Sequence, residues 1–260
     1  MIPKIAFLFL TITNIYHESY WRDFLDGHTA EHSMYIHASE GVPEDSPFKK
    51  YELPYTIPTT HYHTMKAQIA LLKEALRDPD NQKFIFSSES TIPLQSFKHV
   101  YSEVMDTHKS IFKYFPNPHQ DPENKNYATR SLEKLPQEYR YKSSQWIILN
   151  RAHATLMAND TQYLDIITEY DADNELYPSS FLATQHALNE VDCKRTTFVN
   201  WDKRNPETMP RAFPYVYTNL HDPEQLSDIK HAIQEGFLFA RKIESGTNLS
   251  PLDTYLAYKP

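Results

Sequence analysis

The sequence predicts an α/β protein, with a mostly parallel central sheet flanked by helices, built as a single domain over residues 1–260. Two observations predict it. Apolar runs of strand length alternate along the chain with segments whose apolar residues recur at helical spacing. Alternation of this kind buries a parallel sheet under helices on its faces. The chain is also long enough to close a sizeable core, with 260 residues of which 40% are hydrophobic and 23% charged.

The elements follow in order. "KIAFLFLTI" is a buried strand, and "SYWRDFLDG" a short helix stopped by Gly27. "HSMYIHA" is the second strand. Residues 64–78 place Met65, Ile69, Leu72 and Leu76 on one helical face, with Thr64 as N-cap and Pro79 just past the end. "KFIFSS" is the third strand and "LQSFKHVYSEVMD" a helix. "QWIILN" is a strand, "RAHATLMAND" a helix, "TTFVNW" a strand, and "PEQLSDIKHAIQEG" a helix closed by Gly236. Residues 40–60 and 114–140, rich in Pro, Asp, Asn and Lys, are expected to be long surface loops.

Bulk properties exclude several classes. A net charge of −8 argues against a broad nucleic-acid face, while leaving room for a local basic pocket. The single cysteine, Cys193, excludes an intrachain disulfide and favours a reducing compartment. The N-terminal apolar run, Ile5 to Ile12, is too short for a membrane span and precedes no signal cleavage site. The expectation is a soluble cytoplasmic protein without an integral membrane segment. Four scattered glycines, Gly27, Gly41, Gly236 and Gly246, cannot form the two standard glycine-rich phosphate loops. A bound nucleotide must therefore have its phosphates held by side chains.

In parallel α/β sheets ligands bind beyond the carboxyl ends of the strands. The third strand runs directly into Ser87, Ser88, Glu89 and Ser90. These residues sit where a ligand would sit, or else form a polar turn. "FLFARKIE" places Arg241 and Lys242 directly after an apolar run, where a guanidinium fork and an ammonium could grip a diphosphate or simply cap an element. Trp201, at the end of "TTFVNW", is either a sugar-stacking platform or a core residue. "HTAEH", His28 to His32, matches an inverted zinc-protease pattern, but Gly27 before it and a strand after it leave no helix, so a chance match is expected. His61 and His63 lack an evident third metal ligand. Asp171 and Asp173 form a D-x-D that hard cations suit, but they lie in a polar stretch rather than at a strand end, so an acidic loop is expected.

Taken together, "PKIAFLFLT", "WRDFLDGH", "HSMYIHAS", "ALRDPDNQKFIFSSESTIPLQSFKHVYSEVM", "KSSQWIILNRAHATLMAND", "TTFVNWDKRNP" and "FLFARK" resemble the core-2/I-branching family of glycosyltransferases, closest to its plant-type branch. The resemblance implies a GT-A-like domain and inverting transfer of a sugar, of GlcNAc or xylose type, from a UDP-sugar donor to a hydroxyl of a glycan acceptor. It implies metal independence: no cofactor is required, and Mn²⁺ or Mg²⁺ is not expected. Ser87, Ser88, Glu89 and Ser90 then line the sugar side of the donor pocket, with Thr11 and His37 assigned to donor binding beside them. Lys242 matches the family's diphosphate-binding lysine, with Arg241 adjoining. Trp201 matches an acceptor-contacting tryptophan, and Trp146 joins it among substrate-binding residues. Glu175 in "DNELYPSSF" is the candidate catalytic base; another register puts Ser179 there, which could not do that work. A further cation found in some members falls near Thr218, with Arg241 or Arg211 as substitutes. The competing expectations are a non-catalytic sugar-nucleotide or glycan-binding protein of the same fold, and a metal-dependent transferase using Asp171 and Asp173. A bacterial or viral context is expected from the missing anchor and disulfides.

Overall fold

The computed structural model describes residues 2–60, 63–116, 134–167, 173–201 and 214–258. Its first half is a β-α-β series: β1 (Lys4–Thr11), α1 (Glu18–Leu25), β2 (His32–Ala38), α2 (Met65–Ala75) and β3 (Asn81–Ser88). Next come β4 (Ile92–Pro93), α3 (Phe97–Met105), β5 (Ser110–Ile111), β6 (Tyr114–Pro116), β7 (Tyr141–Ser143), β8 (Ile148–Asn150) and α4 (Arg151–Ala158). The chain continues through α5 (Tyr163–Ile167), α6 (Asp173–Thr184), β9 (Val191–Asp192), β10 (Thr197–Val199), α7 (Pro223–Gln234) and β11 (Phe239–Arg241).

The α/β class expected from the sequence is the class observed. A six-stranded sheet has the order β2-β1-β3-β8-β5-β9. β2, β1 and β3 are parallel, and β8 alone runs against its neighbours β3 and β5. The central strand β1 is apolar on both faces because both are covered. Ala6 and Leu8 pack with Met65, Leu72 and Leu149 on one side, while Ile5, Phe7 and Phe9 pack with Trp21, Phe24 and Val100 on the other. A third cluster, around Ile92, Tyr217, Ile229 and Ala240, lies under a small sheet of order β10-β11-β4.

Three expectations are corrected. "TTFVNW" does give a strand, β10, but in the small sheet rather than the central one. Thr64 sits at the N-cap of α2 without a capping bond from its side chain. The free N–H groups of Thr64 and Met65 instead donate to Asp173 Oδ1, at 3.1 and 3.3 Å, from a residue more than a hundred positions away. The polar stretch beginning at Asp173 is helix α6, not a loop. Ten of its twelve residues are buried, including Ser179, Ser180 and Pro178, so it shows no polar face and no amphipathic stripe.

Candidate active site at the carboxyl ends of the parallel strands

The register brings the carboxyl ends of three parallel strands level. Leu10 pairs with His37 on one side and with Ser88 on the other. Antiparallel β8 pairs Ile148 with Ile85, and Phe86 N–H donates to the Ile147 carbonyl at 3.1 Å, which sets Trp146 beside the end of β3. β11 runs along β4, just beyond β3, and Ile243 N–H donates to the Ser90 carbonyl at 3.0 Å. Local sheet pairing thus delivers Ser88, Trp146 and Arg241 to one place from segments far apart in sequence.

Arg241 lies at the centre of this place. Its Nε–H donates to Ser88 Oγ at 3.2 Å, and its guanidinium carbon stands 4.0 Å from the centroid of the Trp146 ring. Its residue exposure is 8%. Burial pushes its pKa down to about 10, with the Glu89 carboxylate pulling the other way. Lys242 is half-buried, and its ammonium is also pushed down, first by burial and then by the Arg241 charge. Neither cation has an ion-pair partner among the described residues. Two adjacent, partly desolvated cations that share one nearby carboxylate, Glu89, and make no ion pair among the described residues form an anion-seeking site.

Of the other residues assigned from the sequence, Ser88, Trp146 and the charge of Glu89 act directly on Arg241, and among the described residues no hydrogen bond, ion pair or ring contact joins Thr11, His37, Trp201 or Glu175 to it. Ser88 and Ser90 are buried, with Oγ atoms 3.2 Å apart, and Ser88 Oγ lies 3.1 Å from Thr91 Oγ1. They form a closed hydroxyl cluster, so Ser88 acts on its surroundings through Arg241. Glu89 is half-buried, and its carbonyl accepts from Tyr16 N–H at 2.9 Å. Thr11, at the end of β1, donates its hydroxyl to the Thr13 carbonyl at 2.8 Å. His37, at the end of β2, accepts Ile57 N–H on Nε2 at 2.9 Å and so ties the loop after β2 to the sheet; burial pushes its pKa down. Trp201 is 48% exposed at the end of the segment after β10.

Glu175 occupies the first turn of α6, half-buried, with its Oε2 2.9 Å from Lys142 Nζ. Ser179, one turn further on, is fully buried, and its hydroxyl has no hydrogen-bond partner. Asp173 is 1% exposed, and burial pushes its carboxyl up to about 6 against the two N–H groups it accepts from α2. Its Oδ2 lies 3.8 Å from His63 Nδ1. Asp171, His61 and Arg211 lie outside the described residues. Thr218 N–H donates to Gln225 Oε1 at 2.9 Å. In "HTAEH", His28 Nδ1 pairs with Glu31 at 2.7 Å, His32 Nδ1 bonds the His28 carbonyl at 2.7 Å, and the segment is a turn leading into β2. No group of three or more His, Cys, Asp or Glu side chains is gathered as a metal site among the described residues.

Two residues named from the sequence have contacts that the sequence did not reveal. Trp146 touches Arg241 rather than standing apart as a second platform. Asp173 holds the start of α2, which opens at the same end of the sheet. The first contact depends on the antiparallel register of β8, and nothing in the local sequence pointed to either.

Fold and site together define an α/β protein with two adjacent cations, Arg241 and Lys242, beyond the ends of its parallel strands. The chain belongs to the Core-2/I-Branching enzyme family, whose family model matches residues 5–224. Among curated proteins it is similar to Glycosyltransferase BC10 of Oryza sativa subsp. japonica, with 26% identity over 170 residues, 62% of this chain and 42% of that one. The chain thus spans less than half the length of that relative. Among solved structures, galactosyltransferase LgtC with donor and acceptor sugar analogues matches at a TM-score of 0.43 and 10% identity, over 90% of this chain and 86% of that one. A197 from STIV matches at a TM-score of 0.30 and 9% identity, over 61% of this chain and 69% of that one. Both structural likenesses are too distant to bear on function. Among the described residues no helix is long and apolar enough to cross a membrane.

Proposed function

We propose that the protein is an inverting glycosyltransferase that moves a sugar, of GlcNAc or xylose type, from a UDP-sugar to a hydroxyl of a glycan acceptor. One observation carries the reading. Arg241 and Lys242 stand side by side, partly desolvated and in no ion pair among the described residues, beyond the ends of the parallel strands. A diphosphate supplies the missing charge, and the two cations stabilise the charge that grows on departing UDP. They do so with side chains alone, which favours transfer without a metal ion.

The reaction is one in-line displacement. The acceptor oxygen forms a bond to the anomeric carbon as the bond from that carbon to the UDP oxygen breaks. The hydroxyl proton passes to a carboxylate, and the bonding electrons leave with UDP. Glu175 is the base in this reading. Its side chain, 24% exposed in the first turn of α6 and paired with Lys142, supports it over Ser179, which is sealed in the core. Asp173 is the other carboxylate of that turn, but Oδ1 already accepts two backbone N–H groups. That duty weighs against the metal-dependent alternative. Glu89, Thr11 and His37 surround the donor, and Trp201 offers an exposed indole face to an acceptor ring.

The test is UDP release from a panel of UDP-sugars with and without EDTA. Slow release from one sugar that persists in EDTA supports the reading; release abolished by EDTA and restored by Mn²⁺ overturns metal independence. Glu175→Gln is expected to abolish transfer while UDP binding survives, and full activity in that variant removes Glu175 from the role.

A further inference from the structure

We infer that Ser88 and Trp146 are positioning residues that hold Arg241 as a preset two-pronged fork for one phosphate of the bound ligand. The inference rests on the diphosphate reading above and deepens it. A guanidinium has five N–H groups in one plane. In Arg241 the Nε–H is taken by Ser88, and the guanidinium carbon lies over the Trp146 indole, 4.0 Å from its centroid. The two terminal nitrogens have no hydrogen-bond or ion-pair partner among the described residues, yet neither is sealed from solvent. They are the parallel pair that matches two oxygens of a phosphate.

Each support is itself held. Ser88 Oγ lies against Ser90 and Thr91, and Ser88 N–H donates to Thr91 Oγ1 at 3.2 Å, which limits its rotamers. Trp146 is 8% exposed, and its N–H donates to Ser144 Oγ at 3.2 Å through the backbone. The indole and the hydroxyl hold different parts of the group: the ring stands against the guanidinium carbon, and the Ser88 bond fixes Nε. With both present, little side-chain freedom remains to be lost when the phosphate arrives, and affinity gains accordingly.

The same molecule shows what a purely structural arginine looks like. Arg151 places its terminal nitrogens on the carbonyls of Leu76, Asp78 and Asn81 at 2.7 to 3.0 Å. Arg241 donates to no carbonyl among the described residues; its supports meet only the Nε–H and the guanidinium carbon, leaving the pair of prongs clear.

The experiment measures binding of UDP and of inorganic pyrophosphate by calorimetry, alongside melting temperature, for wild type, Arg241→Ala, Ser88→Ala, Trp146→Ala and Trp146→Phe. Wild type is expected to bind both probes, and Arg241→Ala to bind them weakly. Ser88→Ala and Trp146→Ala are expected each to lose roughly tenfold in affinity. Trp146→Phe keeps a ring face and should recover most of that loss, a rescue that a general packing defect would not give. If Ser88→Ala and Trp146→Ala bind like wild type while Arg241→Ala does not, the positioning inference falls and the diphosphate reading stands. If Trp146→Phe binds as weakly as Trp146→Ala, the stacking part falls. If wild type binds neither probe, both readings fall together.

Discussion

The two ends of the parallel strands treat buried polar groups in opposite ways. At the amino ends, Arg151 closes three backbone carbonyls, Lys83 donates to the Lys109 carbonyl at 2.6 Å, and Ser110 Oγ accepts Asn150 N–H at 2.9 Å while meeting His153 Nδ1 at 2.7 Å. At the carboxyl ends, Arg241 and Lys242 carry charge with no counter-charge at bonding distance among the described residues. The amino end also buries a cation, Lys83, pushed down by burial to about 8, but its ammonium meets the Lys109 carbonyl, whereas the terminal nitrogens of Arg241 meet no acceptor among the described residues. The carboxyl end is left incomplete, and an unpaired buried charge costs folding energy unless a ligand offsets it. The difference is the structural ground on which the proposed diphosphate site rests.

Replacing the two arginines with methionine is the strongest way to break this comparison. Arg151→Met leaves three carbonyls without their donor, including Leu76 and Asp78 at the end of α2, and should cost about 3 kcal/mol in urea unfolding. Arg241→Met removes a poorly compensated charge and should change stability by less than about 1 kcal/mol, in either direction. It should, however, abolish the stabilisation that added UDP gives wild type. Equal losses of stability in the two variants would mean that Arg241 is a fastening like Arg151. A smaller effect is expected at Asp173. Asp173→Ala strands the N–H groups of Thr64 and Met65 and should cost about 1–2 kcal/mol, whereas Asp173→Asn keeps an accepting oxygen and should stay near wild type at pH 8. If Asn fails to rescue, the carboxylate charge and not the hydrogen bonds holds α2.

Much of this arrangement was legible in the sequence, for reasons that also explain what was not. β1, β2 and β3 are long and apolar, and α2 and α7 are amphipathic or well capped, so periodicity and end signals placed them. The cation pair was visible because a short apolar run ends abruptly in Arg241 and Lys242. β4, β5 and β9 have two residues each, too few for any alternation to register. α6 is buried all round, with serines and a proline inside, so it carries neither a stripe nor good helix propensity. The link from Trp146 to Arg241 depends on β8 running antiparallel, and strand direction leaves no trace in local composition. Asp173 caps a helix from the far side of the chain, a tertiary contact no window of residues contains.

The two ends should also separate in their response to acid. At the amino end, burial holds the His153 imidazole below its usual pKa, with Glu190 at 3.7 Å and Lys83 acting in opposite senses. The unfolded chain therefore takes up this proton first. The stability tied to neutral His153 is complete above the unfolded value of about 6.5 and is lost as pH falls through the lower folded value. At the carboxyl end, burial raises the Asp173 carboxyl to about 6, so the folded chain takes up this proton first. Below pH 6 Asp173 therefore adds stability until the unfolded carboxyl also protonates, near about 4. The two contributions have opposite signs over the same window. Unfolding midpoints measured from pH 8 to 4.5 should fall in wild type, because His17, His32 and His37 are also held below their usual pKa by burial. They should fall more steeply in Asp173→Asn, which lacks the opposing carboxyl, and less steeply in His153→Gln. Parallel curves for wild type and Asp173→Asn would show that Asp173 titrates like an exposed carboxylate, and the carboxyl end would then resemble the amino end in its electrostatics.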